Sequence, residues 1–107
     1  MSEVSSFFDN IDAKVDKSKA EGMNAIYQFV ITGDDSGEWW VKLADGNVES
    51  AQGQAENPSI TLTMAAEDFA ALVNGDLNGQ QAFLTGKLKI QGDMTLAMKL
   101  QTVFNLG

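Results

Sequence analysis

The chain has 107 residues, among them seven lysines, no arginine, fifteen acidic residues, no histidine and no cysteine, and its formal net charge is −8. One domain around one core suits this length, and the missing residue types exclude a disulfide framework, thiolate or imidazole catalysis, Cys- or His-based metal sites and bidentate arginine clamps. The acidity excludes the basic footprint that nucleic acid requires and disfavours electrostatic anchoring on an anionic membrane.

The chain opens on Val4, Phe7, Phe8, Ile11 and Val15, a spacing of i, i+3, i+4, i+7 and i+11 that predicts one amphipathic helix ending near Lys19, before Gly22. Tyr27, Phe29 and Ile31 then alternate with Gln28, Val30 and Thr32, which predicts a strand. Gly33-Asp34-Asp35-Ser36-Gly37 is a turn cluster. In the following strand Trp39, Val41 and Leu43 share one face, and Trp40 and Lys42 the other. Asp45-Gly46 is a hairpin signal, and the polar third strand, about 47–54, reads as a sheet edge, so the three strands form a meander.

Pro58 starts a fourth strand in which Ile60, Leu62 and Met64 alternate with Ser59, Thr61 and Thr63. Residues 65–73 form a helix with acids in its first turn, stopped by Asn74-Gly75. A short helix over 80–84 follows Asn78-Gly79, and Lys87-Leu88-Lys89-Ile90-Gln91 is a fifth strand. Asp93 caps a last helix whose apolar residues spread over a wide arc; such a helix packs deep, roofs a cavity or meets a partner. Strands grouped with helices at the ends define an α+β fold with one sheet face covered.

Few residues suggest reaction chemistry. Asp34 with Asp35 and Glu67 with Asp68 are adjacent carboxylates, but acid–base catalysis needs carboxyls that converge across a cleft. They read as turn chemistry and as complements to a helix dipole. Asp34-Asp35-Ser36-Gly37-Glu38 offers hard oxygen ligands without the spacing of an EF-hand, and Gly75, Gly79 and Gly86 fit no phosphate-binding fingerprint. No metal and no cofactor is expected. Five methionines, six phenylalanines and two tryptophans supply bulky, adaptable apolar surface instead.

The run from Ala82 to Gln101, AFLTGKLKIQGDMTLAMKLQ, closely resembles the signature of sterol carrier protein-2-like domains. Looser similarity covers nearly the whole chain: Trp39 on the second strand, Asp45-Gly46 at the hairpin, Ile60–Met64 on the fourth strand and Asp68–Leu72 on the following helix. The resemblance implies a five-stranded, mostly antiparallel sheet with helices on one face. It further implies an apolar tunnel between them for fatty acids, fatty acyl-CoA or sterols, and a non-enzymatic carrier.

Two departures from the family pattern shape the expectation. The C-terminus, Asn105-Leu106-Gly107, is no peroxisomal targeting tripeptide of the kind common in animal members, which favours a prokaryotic, free-standing form. Lys87, Lys89 and Lys99 are the only cations in the signature region, too few for the phosphates of acyl-CoA, so an uncharged lipid or a fatty acid is favoured.

The expected ligand-lining residues upstream of the signature are Trp39, Ile60, Leu62, Met64, Phe69, Leu72 and Val73. Within and after it they are Phe83, Leu84, Ile90, Met94, Met98, Leu100 and Phe104, with some of the whole set serving as ordinary core. Residues 1–107 are thus expected to form a single lipid-binding domain. The N-terminus lacks the pattern of a secretory signal and no apolar run is long enough to span a bilayer, so a soluble, cytoplasmic protein without stable membrane insertion is expected. The competing expectation is an interaction domain with a filled core whose last helix meets a partner or a second copy.

Overall fold

A computed structural model describes residues 3–33 and 36–104, without the side chains of Glu3, Ser5, Leu100 and Gln101. The five strands are β1 (Asn24–Thr32), β2 (Gly37–Ala44), β3 (Asn47–Gln52), β4 (Ile60–Ala65) and β5 (Leu88–Gly92). They form one sheet in the order β3-β2-β1-β4-β5. Every pairing is antiparallel except the central one, in which β1 and β4 run parallel, with Phe29 opposite Leu62 and Ile31 opposite Met64. The meander, the edge position of β3 and the mostly antiparallel sheet all match the sequence reading.

The Asp45-Gly46 hairpin has the expected geometry. Both residues take positive φ, 49° and 82°, between the paired Ala44 and Asn47, as a type I′ turn requires. β3 stops at Gln52, two residues earlier than expected, because Gly53 turns the chain at φ 122° and Ala55 N–H donates to the Gln28 side chain.

The N-terminal helix is not continuous. It is divided into α1 (Glu3–Asp9), α2 (Ile11–Lys14) and α3 (Lys17–Ala20). The breaks fall at Asn10, whose amide donates to the Ser6 carbonyl at 2.8 Å, and at Val15-Asp16, where the backbone is extended. Asp16 Oδ1 accepts from the Ser18 hydroxyl at 2.6 Å and from the Ser18 and Lys19 N–H groups, so its side chain starts a new helix instead of continuing the old one. The apolar stripe survives the breaks: Val4, Phe7, Phe8, Ile11 and Val15 are all buried.

The remaining helices are α4 (Ala66–Asn74), α5 (Gly79–Leu84) and α6 (Met94–Val103). Gly75 closes α4 in the left-handed conformation, and Asn78 caps α5 through Gln81 N–H at 2.7 Å. Aromatic rings fill the space between the sheet and α1 and α4. Phe8 stacks between Trp39 and Phe69 with centroids 5.0 and 5.6 Å away, and Phe104 meets Tyr27 edge-on at 4.9 Å.

The opposite sheet face carries the one buried polar residue among those described. Gln28 alternates with Tyr27 and Phe29 and so points away from the helices, yet it is only 4% exposed. Residues 53–59 carry the chain from the β3 edge across to β4, and Gln28 pins that crossing. Its amide donates to the Trp39 and Gly53 carbonyls, and its oxygen accepts from Ala55 N–H. A buried amide is tolerated only when its polar atoms are paired in this way.

Candidate functional site: an apolar cleft beside the last strand

β5 lies at the sheet edge, with α5 on the chain before it and α6 after it. Its alternation sends Leu88 and Ile90 toward the helices and Lys89 away from them, while Lys87 sits in the bend before the strand. On α6, Met94, Ala97 and Met98 recur at i, i+3 and i+4 and share one face. On α5, Gly79, Gln80 and Phe83 complete the enclosure. The result is a cleft of about 300 Å³ lined by these eight residues, from Gly79 to Met98. Gln80 is the only polar side chain in the lining.

The turn into α6 is fixed by close backbone contact. Gly92, at φ 113°, pairs with Ile60, and a methyl group there would lie 2.6 Å from the Ser59 oxygen and 2.9 Å from Ile60 Cα. Asp93 N–H donates to that Ser59 carbonyl, and Asp93 Oδ1 accepts from Thr95 N–H at 2.9 Å, which supplies the expected N-cap. The far end of α6 is anchored by Asp16 N–H on the Val103 carbonyl at 2.7 Å. Between the ends, the Tyr27 hydroxyl donates to the Leu96 carbonyl at 2.8 Å. Burial pushes that phenol well above its ordinary pKa, and the Asp93 charge adds to the shift, so it stays a donor.

The residues expected to line a ligand site separate into distinct places. Phe83, Ile90, Met94 and Met98 meet in the cleft. Trp39, Ile60, Leu62, Met64, Phe69, Leu72 and Phe104 are buried in the core behind it. Val73 lies on a second concavity of about 430 Å³ between α1, α2 and α4, whose lining includes Ser6, Asn10, Lys14 and Asn74 and is too polar for a lipid chain. Leu84 stands 73% exposed near the cleft without lining it. The Leu100 side chain and the Asp34-Asp35 pair lie outside the described residues.

Four lining residues, Gly79, Gln80, Leu88 and Ala97, escaped the sequence reading. Leu88 is two positions from Ile90 on the same strand face, and Ala97 is three from Met94 on the same helix face, so periodicity could have found both. Gln80 carried no such signal. Among the described residues, no three acidic side chains converge to hold a metal, and no helix is long and apolar enough to cross a membrane.

An α+β fold with a five-stranded sheet, helices on one face and an apolar cleft at the sheet edge is the architecture of a lipid-binding domain. The sequence pattern of the SCP-2 sterol transfer family matches residues 6–105, and the chain belongs to that family. It is 34% identical over 97 residues to hydroxysteroid dehydrogenase-like protein 2 from Xenopus tropicalis, a match covering 90% of this chain and 23% of that protein. The chain thus spans about a quarter of the length of that curated relative.

Solved structures share the fold. Sterol carrier protein 2 like 2 from Aedes aegypti superposes with a TM-score of 0.74 at 29% identity, with 94% of each chain covered. The palmitated form of that protein superposes at 0.72 and 28% identity, covering 94% of this chain and 91% of that one. A sec-alkyl sulfatase from Pseudomonas sp. contains the same fold in 16% of its chain, with a TM-score of 0.82 at 19% identity over 94% of this one.

Proposed function

We propose that this chain works as a single lipid-binding unit that carries a fatty acid, fatty acyl group or sterol-like molecule, entering through the cleft between α5, β5 and α6. The observation that carries the reading is the composition of the cleft: seven of its eight lining residues have apolar side chains or none. Its volume lies at the low end of ligand pockets, ~300–1,000 Å³, so a long chain would continue inward as a tunnel between α6 and the sheet. Apolar burial contributes roughly 25 cal/mol per Å², so such a ligand needs few polar contacts. The palmitated Aedes aegypti relative supports a fatty acid as the ligand class.

The lining argues against acyl-CoA, because Lys89 points away from the cleft and no lining residue is cationic. Gln80 can donate to, or accept from, a hydroxyl or carboxyl group. In this reading the domain acts as a carrier and not as a catalyst.

Titration with a fluorescent fatty acid is expected to show saturable binding at micromolar protein, and native mass spectrometry is expected to show co-purified lipid. Absence of both overturns the reading.

A further inference from the structure

The cleft runs from an open mouth to a closed inner end. Met98 at the mouth is 82% exposed, whereas Leu88 at the inner end is 3% exposed. From the lining strand, helix-facing residues continue across the sheet: Ile90 pairs with Leu62, and Leu62 with Phe29. Strands lie about 4.8 Å apart, so Phe29 stands roughly 10 Å inward of Ile90. A chain that enters over β5 and passes beneath α6 arrives there.

Aromatic rings already occupy that place. Tyr27, two residues along β1 on the same face, is tied to α6 through its hydroxyl. Phe69 closes the side toward α4, where it stacks on Phe8 at 5.6 Å. Phe104, which directly follows α6, is fully buried and stands edge-on to Tyr27 at 4.9 Å and to Phe29 at 5.8 Å. Its side chain has no polar atom, so packing alone holds it.

We propose that Phe104 plugs the inward path and thereby sets the length of chain that the cleft accepts. The cleft holds about 300 Å³, and a methylene takes about the volume of a water molecule, ~30 Å³. The fitting ligand is a straight-chain fatty acid of roughly ten carbons, its carboxylate left in water at the mouth. A rigid, fused-ring sterol does not fit that space. The proposal rests on the reading of the cleft as the lipid entrance, and it can fail while that reading stands.

The test is calorimetric titration of the full chain with octanoate, decanoate, myristate and palmitate, each below its micellar concentration. Every buried methylene strengthens binding about fourfold. The native chain is expected to bind decanoate about fifteenfold tighter than octanoate, and the longer acids no tighter than decanoate. Phe104→Ala vacates on the order of 100 Å³, room for about three more methylenes. It is expected to bind myristate on the order of fiftyfold tighter than decanoate. Phe104→Leu, which keeps most of the packing, is expected to shift the profile the same way by about fourfold, and it decides the matter if Phe104→Ala does not fold. Phe7→Leu alters a buried ring outside the path and is expected to leave the length profile unchanged.

Four results would overturn the plug: native affinity that keeps rising to palmitate, saturable binding of a fluorescent sterol to the native chain, a profile unchanged in the folded Phe104 variants, or equal lengthening in Phe7→Leu. The carrier reading survives each of them. Binding of no fatty acid by the native chain or any variant removes the carrier reading and the plug together. Binding by the Phe104 variants alone would show that the plug closes the cleft completely.

Discussion

The Tyr27 hydroxyl donates to the Leu96 carbonyl at 2.8 Å, joining the central strand of the sheet to the middle of the helix that walls the cleft. Tyr27 is fully buried, its ring meets Phe104 edge-on, and its hydroxyl reaches α6 from beneath. The helix is otherwise held at its ends, by Asp93 and by the bond from Asp16 to Val103. Tyr27→Phe keeps the ring and removes this bond. It is expected to cost about 1 kcal/mol in urea unfolding and to speed amide exchange in α6 more than in β2 or β3.

Gln28, the next residue along, does the corresponding work on the other face. Gln28→Leu leaves Ala55 N–H and the Gly53 carbonyl without their side-chain partner. A loss of about 2 kcal/mol is expected, together with faster proteolysis within residues 53–58. Fatty-acid affinity is expected to be unchanged, because the crossing and the cleft lie on opposite faces of the sheet.

Met94→Asp tests the cleft itself. An acid in the first turn of α6 suits the helix dipole, so stability is expected to stay within about 0.5 kcal/mol. A carboxylate in an apolar lining must keep its water, and it repels a ligand carboxylate. Fluorescent fatty-acid affinity is expected to fall tenfold or more, about 1.4 kcal/mol.

Asp16 links folding to pH. The Ser18 hydroxyl lowers its pKa most; desolvation opposes that effect, and the Lys19 and Ser18 N–H groups and the Lys19 charge lower it further. A carboxyl depressed in the folded state stabilises above its unfolded value, and the stabilisation is lost as pH falls through the lower folded value. Asp16→Ala is therefore expected to lower the melting temperature at neutral pH, by a difference that shrinks below about pH 4. Asp16→Asn, which keeps an acceptor, is expected to lose less and to remove this pH dependence.

These sites differ in how far they were legible in the sequence. The hairpin at Asp45-Gly46, the stop at Gly75 and the caps at Asn78 and Asp93 are written in a few adjacent residues, because left-handed turns and helix caps depend on local sterics and one short side chain. Trp39 and Met64 were legible as apolar but not as core, since alternation reports which face a residue occupies and not what stands opposite. Gln28 looked like a wet position on an open face. Its burial depends on residues 53–55, 25 or more positions away, so no local pattern could reveal it.

Taken alone, the sequence determined the five strands, the faces they bury, the helix boundaries after residue 65 and the family through the Phe83–Gln101 block, since backbone sterics and the two side-chain periods act over a few residues. The tertiary structure decided the parallel pairing of β1 with β4 and the place of the cleft. Those depend on contacts between distant segments.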